Sequence, residues 1–114
     1  MYLLVALNRK AVVNGNPYYY APGDMKEYQI GDRLSRKLEA DNFCEDMWHE
    51  FGGLMDIAGG DCDYFGPEKC RGLARWTEEK LRGVSDPELK DFYEVLLDYS
   101  RTAAGCGTGI DFEF

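Results

Sequence analysis

The chain has 114 residues, 21 acidic against 13 basic, a formal net charge of −8, and 45% hydrophobic and 14% aromatic content. That length and apolar content fit one globular domain spanning 1–114, and the aromatic content opposes disorder. The acidic balance excludes a surface built for nucleic-acid phosphates or anionic membranes, both of which need clustered cations.

Tyr2 to Leu7 is a continuous apolar run, predicting a strand covered on both faces. It lacks the preceding basic region and following small-residue site of a secretory signal, and it is too short to span a membrane. Cytoplasm is therefore the expected compartment. Val12-Val13 reads as the start of a return strand, Asn14-Gly15-Asn16-Pro17 as turn chemistry, and Tyr18-Tyr19-Tyr20 before Pro22-Gly23 as a loop or short edge strand. Asp24-Met25-Lys26-Glu27 has capping-box spacing and predicts a helix N-terminus, while Gly31 weakens any continuous helix into the next segment. Arg33 to Ala40 reads as helical, with Leu34 and Leu38 one turn apart.

From Leu38 to Glu68 the chain carries Glu39, Asp41, Glu45, Asp46, Glu50, Asp56, Asp61, Asp63 and Glu68 without one Lys or Arg. Both flanks, Met1 to Lys37 and Lys69 to Arg82, are net basic, so the acidic field is local. Within it a helix is expected from Asn42, which can cap, with Glu45 favourably near the positive end of the dipole. Phe43, Met47, Phe51 and Leu54 give its inner track, with Trp48 and Met55 widening the stripe and Asp46, Glu50 and Asp41 turned away. Gly52-Gly53 predicts a break and Gly59-Gly60 an end.

Gly66-Pro67-Glu68 opens the next helix with Pro at its first position, and Cys70, Leu73, Thr77 and Leu81 form its inner track up to Gly83. Ser85-Asp86-Pro87-Glu88 opens another, combining a Ser-x-x-Glu box with Pro, and Leu89, Phe92, Leu96, Tyr99 and Ala103 mark its buried face. Gly105 to Gly109 reads as a helix stop and turn. Ile110-Asp111-Phe112-Glu113-Phe114 alternates with period two, predicting a strand with an apolar and an acidic face. The expected architecture is α+β, with three or four helices packed on one face of a small sheet that includes the N- and C-terminal strands.

The site motifs fail one by one. Asp61-Cys62-Asp63-Tyr64-Phe65-Gly66 begins like a calcium loop, but position five is Phe and position twelve is Gly72, so it reads as an interhelical turn with a packed Phe65. Cys44 and His49 are five residues apart, about 140° round a helix, and do not face each other as nucleophile and base. Cys44, Cys62, Cys70 and Cys106 contain no Cys-x-x-Cys pair and match no zinc-finger spacing. They are expected to be reduced structural thiols, although their even number leaves disulfides open in an exported chain. Gly105-x-Gly107-x-Gly109 follows a helix and opens a strand, the reverse of a dinucleotide loop. No metal, cofactor or catalytic residue is expected.

Asp63-Tyr64-Phe65-Gly66, the helix containing Trp76, and the closing Gly107-Thr108-Gly109-Ile110-Asp111-Phe112-Glu113-Phe114 resemble a small stand-alone bacterial immunity protein. Such proteins neutralise the toxins of contact-dependent and polymorphic toxin systems. The resemblance is one of overall style across the whole chain, and it carries over no individual residue. It implies a single acidic cytoplasmic domain that binds a cognate toxin, often a basic nuclease, and is not itself an enzyme. The charge pattern places a basic protein partner on the acidic stretch, with Glu45, Asp46, Glu50, Asp61 and Asp63 as contacts. An adaptor or phage-type inhibitor mimicking nucleic acid, and a small enzyme with an unrecognised site, are the alternative readings.

Overall fold

The computed structural model describes residues 2–7, 25–52 and 62–113, with backbone alone over 62–64. In chain order it runs β1 (Tyr2–Ala6), β2 (Met25–Gln29), α1 (Asp32–Ala40), α2 (Phe43–Phe51), β3 (Cys62–Phe65), α3 (Pro67–Gly83), α4 (Pro87–Cys106) and β4 (Ile110–Glu113). The four strands form one antiparallel sheet in the order β2-β1-β4-β3. The two strands expected near the ends of the chain thus lie side by side at its centre, with Leu3 opposite Phe112 and Val5 opposite Ile110. The architecture is α+β, as the sequence predicts.

Leu3, Val5, Phe65, Ile110 and Phe112 form the sheet's contribution to the core, and α4 lies across β1 and β4 with α3 along its flank. The helices follow their sequence signals. Pro67 and Pro87 each occupy a first helical turn, where no N–H is missed. Cys70, Leu73 and Thr77 line the inner track of α3, and Phe92, Leu96, Tyr99 and Ala103 that of α4, to which Tyr93 and Ser100 add. Gly107, at φ 68°, stops α4, and the hydroxyl of Thr108 then donates to the carbonyl of Ala6 at 2.6 Å, tying the turn to β1.

Five expectations need correction. Met25–Gln29 is a strand, not a helix start, because all five residues pair with β1, and this pairing overrides a local capping pattern. Cys62–Phe65 is an edge strand paired with β4, not a turn, although Phe65 is fully buried as expected. Asn42 begins α2 in the left-handed region, at φ 59°, and makes no side-chain cap. The cap of α4 is Asp86, whose carboxylate accepts from the N–H groups of Glu88 and Leu89, in place of Ser85. Finally, β4 alternates as expected, but its acidic side is buried at Asp111, which is 1% exposed and level in register with Leu4, also buried. As an interior strand, β4 has both neighbours filled, and the sheet face bearing Leu4, Ala6 and Asp111 is covered. The expectations for Val12-Val13, residues 14–17, the three tyrosines, Asp24, Leu54, Met55, Gly59-Gly60 and Asp61 lie outside the described residues.

Candidate partner-binding face

α2 is a nine-residue helix fastened at its start. Phe43 is fully buried and meets four rings: Phe92 edge-on at 5.3 Å, Tyr93 at 6.1 Å, and Trp76 and Phe112 each at 6.3 Å. One side chain therefore joins α2 to α3, α4 and the sheet. Met47 and Cys44 complete the buried side, and Phe51 closes it against Phe65 at 5.8 Å. Gly52, at φ 75°, ends the helix where the glycine pair predicts a break.

The opposite side of α2 is open. Glu45, Trp48, His49 and Glu50 are exposed, while Asp46 is half-buried. Glu45 and Asp46 lie in the first turn, so part of their effect is to complement the helix dipole. Glu45 and His49 stand one turn apart, with Oε1 and Nε2 3.9 Å from each other, too long for a hydrogen bond. Among the described residues no Lys or Arg lies within ion-pair distance of Glu45, Asp46 or Glu50. Elsewhere several described cations are engaged: Lys37 holds Asp86 and Glu88, Lys80 holds Asp41, Arg82 holds Glu79, and Arg101 holds Glu78.

Trp48 departs from the sequence expectation. It is 45% exposed, not part of the inner stripe. Buried Phe43, Met47 and Cys44 cluster around one direction, and at about 100° per residue Trp48 falls beyond its edge, towards Glu45. Asp46 and Glu50 flank the opposite edge. Of the five predicted contacts, Glu45 and Glu50 are thus open, and Asp46 sits at the margin, near enough for its charge to act on Tyr93. Asp63 belongs to β3, in register with Phe112, and Asp61 lies outside the described residues.

Asp41 turns out to be internal wiring. Its Oδ2 accepts from the Tyr93 hydroxyl at 2.7 Å and pairs with Lys80 Nζ at 3.0 Å, and that ammonium lies over the Tyr93 ring at 5.7 Å. The group joins the end of α1 to α3 and α4. Burial first, then the hydrogen bond to Asp41, pushes the Tyr93 phenol far above its ordinary value, so it is a donor and not a base near neutrality. Sequence neighbours gave no sign of this compensation, because Lys80 is distant in the chain.

Beside this group lies a cavity of about 360 Å³, bordered by Asp41, Lys80, Val84, Ser85, Asp86 and Leu89 among others. Its charges are paired across elements: Lys37 donates to Asp86 at 2.8 Å and holds that carboxyl below its ordinary value. The lining contains neither Cys nor His. Cys44 and Cys70 are buried and His49 is exposed. Cys70 donates to the Phe65 carbonyl, and burial pushes its thiol up to about 11, which suppresses the nucleophilic thiolate. No group of three or more His, Cys, Asp or Glu among the described residues is arranged to hold a metal, and no described helix is long and apolar enough to cross a membrane.

No family model, curated protein or solved structure matches the chain.

Proposed function

We propose that this protein is an acidic binding module that docks a basic protein partner on the open side of α2, in the manner of an immunity protein neutralising a cognate toxin by direct contact. The observation that carries the reading is the exposed Trp48 set beside Glu45, with Glu50 exposed on the other edge of the helix and, among the described residues, no Lys or Arg within ion-pair distance of either carboxylate. Anchoring aromatics and complementary charge are the two features that make a docking surface selective and fast. Phe43 holds the helix rigidly from behind, so the face is presented without a folding cost on association. The remaining acidic residues divide by role, with Asp41 and Asp86 spent on ion pairs that join helices.

The test is charge reversal. The wild-type chain serves as bait in native host lysate, a basic protein that it holds is purified, and its association with the wild-type chain and with the Glu45→Lys, Glu50→Lys variant is measured. Its association with the variant should be about tenfold slower at low salt, with the difference shrinking as salt rises. Folding should change by about 1 kcal/mol or less, the dipole contribution of Glu45 being the main loss. A partner that associates with both chains at one rate at low ionic strength would sink the proposal.

A further inference from the structure

Trp48 is the one large apolar side chain left strongly exposed among the described residues. A single exposed aromatic is ordinary by itself. Its setting is not: the preceding turn places Glu45 three residues away, where helical neighbours lie about 5–6 Å apart between Cβ atoms. Among the described residues Glu45 is otherwise approached only by the His49 imidazole at 3.9 Å, a contact between two side chains that are each about two-thirds exposed. Separating such a pair costs little. The result is a flat π-face with a carboxylate one turn away and, among the described residues, no Lys or Arg within ion-pair distance of that carboxylate.

That pair of groups suits one cation better than the other. A guanidinium is planar and weakly hydrated, so it can stack on an indole while its N–H edge donates in parallel to a carboxylate. An ammonium is a compact, strongly hydrated point charge that gains from the carboxylate but cannot stack in this way. We infer that the α2 face reads arginine: a partner arginine stacks on Trp48 and donates to Glu45, while Glu50 contributes the surrounding field. This rests on the reading of α2 as the docking face and specifies the chemistry that face selects.

The probes are two capped octapeptides of equal charge, all-arginine and all-lysine, titrated calorimetrically into the full chain at low salt, with the Trp48 indole N–H followed by NMR. The arginine peptide should bind about fivefold more tightly and shift the Trp48 resonance. In Trp48→Leu that preference should fall to about twofold or less, with lysine-peptide affinity nearly unchanged, because stacking at exposed sites supplies only this modest increment. Trp48→Phe should retain part of the preference, and Glu45→Gln should reduce it while lowering the melting temperature by no more than about 4 °C, the dipole contribution alone. Equal affinity for both peptides, weakened alike by Glu45→Lys with Glu50→Lys, would overturn arginine selection and leave acidic docking standing. If neither peptide binds, or charge reversal changes nothing, the docking face fails and arginine selection with it.

Discussion

Removing one oxygen atom measures how firmly the acidic stretch is wired into the fold. In Tyr93→Phe the ring keeps its place among Phe43, Trp76 and Phe92, so packing is preserved and only the 2.7 Å hydrogen bond to Asp41 is lost. Hydrogen bonds to charged groups are worth about 1.5–3 kcal/mol. The lower end applies, because Asp41 keeps Lys80 at 3.0 Å and its side chain is 29% exposed, so water can take the vacated position. A loss near 1.5 kcal/mol should lower the melting temperature of a domain this size by roughly 6 °C. Urea unfolding of Tyr93→Phe, Lys80→Met and the double variant gives the coupling directly. The two single losses should not add, since both donors serve one carboxylate oxygen. Melting of Tyr93→Phe within 1 °C of wild type, together with strict additivity in the cycle, would refute the idea that Asp41 links α1 to α3 and α4.

Phe43→Ala removes the ring shared by three helices and the sheet and should cost about 3–5 kcal/mol in chemical denaturation, enough to leave little folded protein at ordinary temperatures. Stability should also fall at high pH. Burial first, then hydrogen bonds to Asp91 and Asp41, raises the Tyr28 phenol to about 12 and that of Tyr93 further, so the fold favours the protonated forms. Their contribution is complete below the unfolded tyrosine value of about 10 and is lost as pH rises towards about 12, with absorbance at 295 nm rising together with unfolding. If the 295 nm absorbance that Tyr28→Phe and Tyr93→Phe together remove from the wild-type curve titrates at the ordinary tyrosine value well before unfolding, this is contradicted.

What was legible in the sequence were the elements whose signals are local. Pro67 and Pro87 mark helix starts and Gly52 and Gly107 mark helix ends through constraints on φ that hold in any surroundings. The apolar run at Leu3-Leu4-Val5-Ala6 needs cover on both faces wherever it lies, and all four are buried. β2 and β3 were illegible for the converse reason. Met25-Lys26-Glu27-Tyr28-Gln29 has little strand character of its own and is a strand because β1 offers it a ladder, and Cys62–Phe65 likewise depends on β4. The alternation of Ile110 to Glu113 gave the strand but not its position in the sheet, and position decides whether Asp111 meets water.

The same distinction divides the acidic stretch. A run without Lys or Arg is a property of the chain, whereas compensation is a property of the space around each carboxylate. Asp41 and Glu45 are four residues apart and equally acidic in sequence, yet Lys80 and Tyr93 meet the first, whereas among the described residues only the His49 imidazole approaches the second. Trp48 was misplaced by the same omission: the spacing from Cys44 is helical, but α2 is short and leans on Phe43 and Met47, so a residue one step round from that line stays out. Its exposure follows from the direction of the buried stripe of Phe43, Cys44, Met47 and Phe51, which leaves Trp48 and Glu45 on the far side of the helix, whereas Asp41, at the end of α1, reaches Lys80 and Tyr93. Under the docking proposal the acidic run therefore performs two separate tasks: Asp41 fixes the end of α1, and Glu45, Trp48 and Glu50 meet the partner on a surface that this fixed junction holds in place.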